Sequence, residues 1–201
     1  DVRVWFALAY LLLPMVWTHY DRQPGLATLP MRTKTADGIP YSHIAALHGS
    51  DVLATTVLQT CIRYESRRKA CKFCAIGQSL AAGRTIAHKT PQQLAEVARA
   101  AVLLVGVKHM VMTTGTPPGS DRGAQVLCDS AFAIKAAVDL PIQGQCEPPD
   151  DSRWFGRMRA AGIDTLGMHL EVVTPALRER LADSGLQVED IVAGHGRGVV
   201  V

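Results

Sequence analysis

From Asp51 onward, apolar β-branched runs alternate with amphipathic stretches, and this alternation restricts the fold more than any other feature of the chain. Val52 to Thr60 reads as a strand. Thr90 is placed to cap a helix with Pro91 at its first position; Leu94, Val97, Ala98, Ala101 and Val102 recur at helical spacing, and Gly106 ends it. A second strand follows at Val107 to Thr113, then a helix at Asp121 to Val138. A third strand covers Pro141 to Gln145, with a short helix at Ser152 to Ala161. A fourth strand covers Thr165 to Val172, after which Thr174 caps a helix that runs to Gly185. Units of roughly 30 residues, strand then helix, pair their strands in parallel through helical crossovers. The predicted fold class is α/β: a partial (β/α) TIM-type barrel with parallel strands over residues 51–201, preceded by a partly irregular lead-in over residues 1–50.

Each conspicuous polar loop falls at the C-terminal end of a strand. Three of the five cysteines, Cys61, Cys71 and Cys74, follow the first strand. Thr114-Gly115-Thr116 follows the second, Cys146-Glu147 the third, and His169 and Glu171 end the fourth. In a (β/α) barrel these loops line one mouth, where such folds carry their chemistry. His169 and Glu171 are two apart on a strand and share a face.

Three thiolates on one loop suit an iron–sulfur cluster with one iron left open, since a [4Fe–4S] cluster normally takes four. Cys71 and Cys74 have cluster-like spacing, whereas nine residues separate Cys61 from Cys71. Ten residues reach roughly 33 Å, so span is no obstacle. Closing the longer loop costs about 1 kcal/mol more in chain entropy. Half of a zinc site and a redox thiol pair remain open as alternatives. Zinc lacks a nearby fourth ligand, because no Cys or His lies between Cys74 and His88. An odd cysteine count at low density disfavours a disulfide framework and points to a reducing, cytoplasmic setting. Cys128 lies on a helix and reads as a small core hydrophobe. His43 and His48 read as surface or half-buried histidines, and Arg67-Arg68-Lys69 as a solvated face or a source of positive charge near the thiolates.

Net charge is +3 and aromatics are 5%, which argues against a nucleic-acid partner. Residues 4–17 form an apolar run broken by Pro14. It is shorter than the roughly 20 residues a bilayer span needs and lacks a basic leader region, so no membrane role is expected. The Gly194-His195-Gly196-Arg197-Gly198 tail does not match a dinucleotide fingerprint. No lysine stands at a strand end where a Schiff-base aldolase would need one.

These residues resemble the radical S-adenosylmethionine superfamily, including biotin synthase and lipoyl synthase. There three cysteines, usually Cys-x3-Cys-x2-Cys, follow the first barrel strand. An aromatic residue precedes the last cysteine, as Phe73 does here. Thr114-Gly115-Thr116 stands where that family binds the methionine amino group. Met168-His169-Leu170-Glu171-Val172 is similar to the strand that contacts the adenosine. The first spacing departs from the usual pattern. It is more similar to an uncharacterised branch encoded beside bacterial nitrilase genes, with Cys61-Ile-Arg-Tyr64, Cys71-Lys-Phe-Cys-Ala-Ile-Gly77, Thr113-Thr-Gly-Thr116 and Gln145-Cys-Glu-Pro-Pro-Asp-Asp151. The resemblance implies an enzyme in which Cys61, Cys71 and Cys74 hold a [4Fe–4S] cluster. Phe73, Thr114, Gly115, Thr116, Glu147, His169 and Glu171 would contact S-adenosylmethionine. The cluster would reductively cleave that cofactor to a 5′-deoxyadenosyl radical, which abstracts hydrogen from a small-molecule substrate, in a nitrile- or cyanide-related nitrogen metabolism. It further implies a reductase such as flavodoxin or ferredoxin. The superfamily's core barrel has six βα units and four are visible here, so the chain is expected to be a fragment. A non-catalytic iron–sulfur or zinc-binding module is the alternative.

Overall fold

The computed structural model describes residues 33–65, 71–72, 74–168, 174 and 176–177. The N-terminal apolar run, the Arg67-Arg68-Lys69 run, Phe73, His169, Glu171, the fourth helix beyond Leu177 and the glycine-rich tail lie outside these residues. The elements in order are α1 (Tyr41–Ile44), β1 (Ala46–His48), β2 (Val52–Thr56), α2 (Ile62–Glu65), α3 (Ile76–Ala81), α4 (Pro91–Val105), β3 (His109–Thr113), α5 (Ala124–Ala137), β4 (Ile142–Gln145), α6 (Arg153–Ala160) and β5 (Thr165–Gly167).

The five strands form one sheet in sequential order, β1 to β5. β2, β3, β4 and β5 are parallel, and β1 runs antiparallel to β2. Leu53, Met110 and Ile142 share one row across the sheet and are buried. Against this face α4 buries Leu94, Val97, Ala98 and Ala101, and α5 buries Leu127, Ala131 and Ile134. Each large aliphatic side chain buried this way contributes roughly 1.5–3 kcal/mol. Gly144 on β4 leaves room for Ile163 and Leu127, whose methyls would stand only 3.2 and 3.6 Å from an added Cβ. The opposite face, with Ala54, Thr56, Val111, Thr113, Gln143 and Gln145, is half-buried.

α4 is bounded as its sequence requires. Thr90 accepts from Gln93 N at 3.2 Å, and Gln93 Oε1 accepts from Thr90 N at 2.9 Å, a reciprocal cap. Such caps contribute about 1 kcal/mol. Gly106 terminates the helix at φ 77°, a left-handed conformation open to glycine.

The lead-in departs from expectation. Where a partly irregular lead-in was expected, a short helix stops at Ile44 and Ala46–His48 pairs with β2. Local helix propensity over so few residues is weak, and the free edge of β2 offers a ladder instead. Ala45 is extended, and Thr55 Oγ1 donates to Ile44 O at 2.6 Å, pinning the changeover.

The strands are also shorter than their apolar runs. Beyond Thr56 the backbone is shared between two neighbours: Val57 N still donates to Thr113 O and Leu58 O accepts from Gly115 N, while Lys89 N donates to Val57 O and Gln59 N to Ala87 O. β3 starts at His109 because Lys108 N and His109 N both donate to Asp51 O. α5 starts at Ala124 because Asp121 serves as its cap, accepting from Gly123 N and Gln125 N. β5 is described as far as Gly167.

Candidate functional site

Cys61 sits between the end of the β2 run and α2. Cys71 and Cys74 immediately precede α3, in a turn closed by Cys74 N donating to Cys71 O at 3.2 Å. All three are free and half-buried. Burial first, then the negative charge available at Cys74, Cys61 and Glu147, pushes the Cys71 thiol up, while Arg63 opposes this. The five groups thus share one electrostatic neighbourhood. Binding a cation removes the mutual repulsion of the thiolates, which is what a metal–sulfur centre does to its ligands.

The loop after β3 is joined to this neighbourhood by backbone. Gly115 N donates to Leu58 O at 2.8 Å and Ile62 N donates to Thr116 O at 2.9 Å, one bond on each side of Cys61. The approach is so close that a Cβ on Gly115 would stand 2.1 Å from Thr60 O and 3.1 Å from Cys61 Cβ. Thr114 N donates to Gln145 O at 3.2 Å, tying the same loop to the end of β4. Thr114 Oγ1 donates to Gly115 O, and Thr116 is buried.

Glu147, on the loop after β4, pairs with Arg63 of α2 at 3.3 Å, with both side chains largely covered. Asp151, one residue before α6's N-cap Ser152, accepts from Arg153 N at 2.9 Å. Arg122 and Asp150 bridge the loops after β3 and β4 at 3.2 Å. The post-β2, post-β3 and post-β4 loops are thus mutually bonded at one end of the sheet.

Three side chains here carried no sequence signal of their own. Arg63 and Tyr64 belong to the quoted Cys-Ile-Arg-Tyr motif without a spacing that assigns them a role. The Tyr64 ring covers Gly77, where an added Cβ would lie 2.3 Å from Cε1, so α2 and α3 pack together around the cysteine turn. Gln59 Nε2 donates to Ile76 O at 3.1 Å, holding the start of α3 to the end of the β2 run.

Cys128 and Cys146 are buried, and burial pushes their thiols up to about 11 and about 12. They are inert core thiols, as expected for Cys128. His43 is half-buried and His48 exposed.

Among the described residues, no three Cys, His, Asp or Glu side chains converge as around a single metal ion. Thiolates on one zinc stand about 3.8 Å apart, given a Zn–S bond of about 2.3 Å. In a cluster each thiolate binds a different iron, so the sulfurs are spread more widely. Three half-buried thiols beside an ion pair are a donor set whose chemistry suits a metal–sulfur group. No helix among the described residues is long and apolar enough to cross a membrane.

No curated protein matches the chain. The family model for the radical SAM superfamily matches residues 67–197, well over half of it. The match takes in Cys71, Cys74, the Thr114–Thr116 loop and Glu147, and begins beyond Cys61. The chain belongs to the radical SAM superfamily.

Proposed function

We propose that the protein is a radical S-adenosylmethionine enzyme acting on a small molecule, with Cys61, Cys71 and Cys74 holding a [4Fe–4S] cluster. The observation that carries this reading is the backbone junction between the cysteine loop and the Thr114–Thr116 loop, with its hydrogen bonds flanking Cys61. When bound, the cluster supplies the electron that cleaves S-adenosylmethionine to methionine and a 5′-deoxyadenosyl radical.

The chain's own residues orient and enclose. Gly115 lets the post-β3 loop lie directly against Cys61, which supports a role for the Thr114–Thr116 backbone in binding the methionine amino group. Arg63 and Glu147 hold the post-β4 loop over the cysteine turn and balance each other's charge. Tyr64 against Gly77, and Gln59 on Ile76, fix α3 so that the Cys71–Cys74 turn keeps its place. Phe73, His169 and Glu171 are assigned to the adenosine by motif alone.

The sequential parallel order of β2 to β5, with α4 and α5 on one face, supports an arc of a (β/α) barrel whose half-buried face turns inward. The motif resemblance supports a place in nitrile- or cyanide-related nitrogen metabolism and a flavodoxin or ferredoxin as electron donor. Free thiols at all five cysteines support the cytoplasm.

The test is anaerobic reconstitution with iron and sulfide, reduction with dithionite, addition of S-adenosylmethionine, and assay of 5′-deoxyadenosine, with Cys71→Ala as control. Release that vanishes in the variant supports the enzyme. A cluster without release leaves an iron–sulfur module, and zinc in place of a cluster refutes the proposal.

A further inference from the structure

The half-buried face of the sheet carries a cavity of about 470 Å³, the size of a metabolite site. Thr56, Thr113 and Gln145, the last residues of β2, β3 and β4, line it, as does Gln59, two residues before Cys61. The cavity therefore lies directly beneath the loops of the candidate site. The cysteines do not line it.

Its charges are one-sided. Lys89 and the exposed Arg84 line it, together with serine and threonine hydroxyls, and among the described residues no Asp or Glu does. Lys89 is 2% exposed. Its Nζ donates to Thr56 O at 2.5 Å, and among the described residues no carboxylate pairs with it. An ammonium has three donors. Burying it against one neutral oxygen is unfavourable, because desolvation is left unmatched by an opposite charge. Burial alone pulls its pKa from 10.5 down to about 8, so at neutral pH it still carries its proton. A charge held in this way beside an open cavity is one that an anion would complete. One buried cation matches one negative charge, which favours a carboxylate over a phosphate dianion.

Building on the proposed function, we propose that this cavity is the substrate subsite and that it takes a small molecule bearing a carboxylate, with Lys89 as the group that binds the carboxylate. Hydroxyls of the lining supply neutral contacts along the remainder of the substrate, and Arg84 adds positive potential at the rim.

The test measures binding of propionate and glutarate, their primary amides, and inorganic phosphate to the as-isolated chain by ligand-observed NMR. At neutral pH each carboxylate is expected to bind about tenfold tighter than its amide, the usual gain from a charged hydrogen bond. Lys89→Gln keeps a donor for Thr56 O and is expected to abolish the preference. In the wild type the preference is expected to fall several-fold between neutral pH and about pH 9.5, as the ammonium loses its proton. His43, His48 and Arg84 are the other titratable or charged groups lining the cavity. The pH series carries the test where the Gln variant does not fold. Equal binding of acid and amide, no saturation by either carboxylate, a preference intact in Lys89→Gln, or phosphate binding tighter than the carboxylates would each overturn the assignment. Since no cluster is needed, the outcome separates from that of the 5′-deoxyadenosine assay. Failed release with a standing preference refutes only the enzyme reading, and release without the preference refutes only the subsite.

Discussion

Gly115→Ala is the sharpest perturbation of the site. The new methyl would stand 2.1 Å from Thr60 O, 2.9 Å from the Thr60 carbonyl carbon and 3.1 Å from Cys61 Cβ, where ordinary contact begins near 3.4 Å. Two of those atoms are backbone and cannot rotate away, so the two loops must part by about 1 Å. The bonds from Gly115 N to Leu58 O and from Ile62 N to Thr116 O, 2.8 and 2.9 Å long, would then exceed hydrogen-bonding range. Losing two such bonds costs about 2 kcal/mol, and the remaining overpacking costs about 1–3 kcal/mol. The sum, about 3–5 kcal/mol, is a large part of a domain's stability of about 5–15 kcal/mol. The α4 and α5 core lies on the other face of the sheet, so the strain falls on Cys61 and its loop. Melting followed by circular dichroism is expected to show a Tm lower by about 10 °C with the helical signal retained. Iron and sulfide bound after anaerobic reconstitution are expected to fall several-fold. Gly156→Ala is the control, since an added Cβ there meets nothing within 4 Å. A Gly115→Ala protein with wild-type Tm and full iron content would refute the junction as the device that places Cys61.

Gly77→Ala drives a methyl into the Tyr64 ring, and its loss of iron binding is expected to be partly restored by Tyr64→Ala in the same chain, measured as iron per protein. Arg63→Met strands the largely covered Glu147 charge, costing about 1–2 kcal/mol, and the double variant with Glu147→Gln loses less than the sum of the two single changes; urea midpoints around the double-mutant cycle read this. In the metal-free chain, iodoacetamide is expected to modify Cys61, Cys71 and Cys74 well before the buried Cys128 and Cys146, as peptide mapping would report. Because the folded pKa of Lys89 lies below its unfolded value, the unfolded chain holds more protons between about pH 8 and pH 10.5, and stability rises with pH there relative to Lys89→Met, by on the order of 3 kcal/mol at most. The raised thiols of Cys128 and Cys146 act oppositely above about pH 9, losing their protons first in the unfolded chain, so urea midpoints are compared between the two proteins at each pH.

The parallel units were legible because their signals are local and redundant. α4 announces both ends, with Thr90 and Gln93 before its apolar stripe and Gly106 after it, and the structure uses all three. Strand lengths were not legible, because apolarity continues past the ladder. Val57 and Leu58 are as strand-like as Leu53, yet their backbone bonds are divided between residues 87–89 on one side and Thr113 and Gly115 on the other. β1 was hidden for a related reason: three residues carry no period, and only the free edge of β2 makes them a strand. At the site, the cysteines and Gly115 were visible as residue types in a pattern. The pairing of Glu147 with Arg63 spans 84 positions and is set by the fold, as is the Tyr64 ring over Gly77. The burial of Lys89 could not be read either. His88-Lys89-Thr90 looks like a solvated lead into a helix, and only the turn of the chain past Thr56 encloses it.

The two faces of the sheet obey different rules, and the difference locates function. On the helix face every buried position is apolar or bonded, and Thr55 finds Ile44 O. On the other face the row at the strand ends is polar, with Thr56 and Thr113 hydroxyls 2.8 Å apart, and Lys89 is buried beside it with no opposite charge among the described residues. A sequence selected only to fold would replace that lysine with an apolar residue at little cost, since unpaired buried charge destabilises. Its position under three loops that are bonded to one another makes a binding role the economical physical account, because departures from folding rules gather where a ligand is awaited. The same division explains why the loops are held by backbone bonds and one ion pair rather than by core side chains. On the proposed reading, they keep their spacing above a cavity that stays open for the substrate.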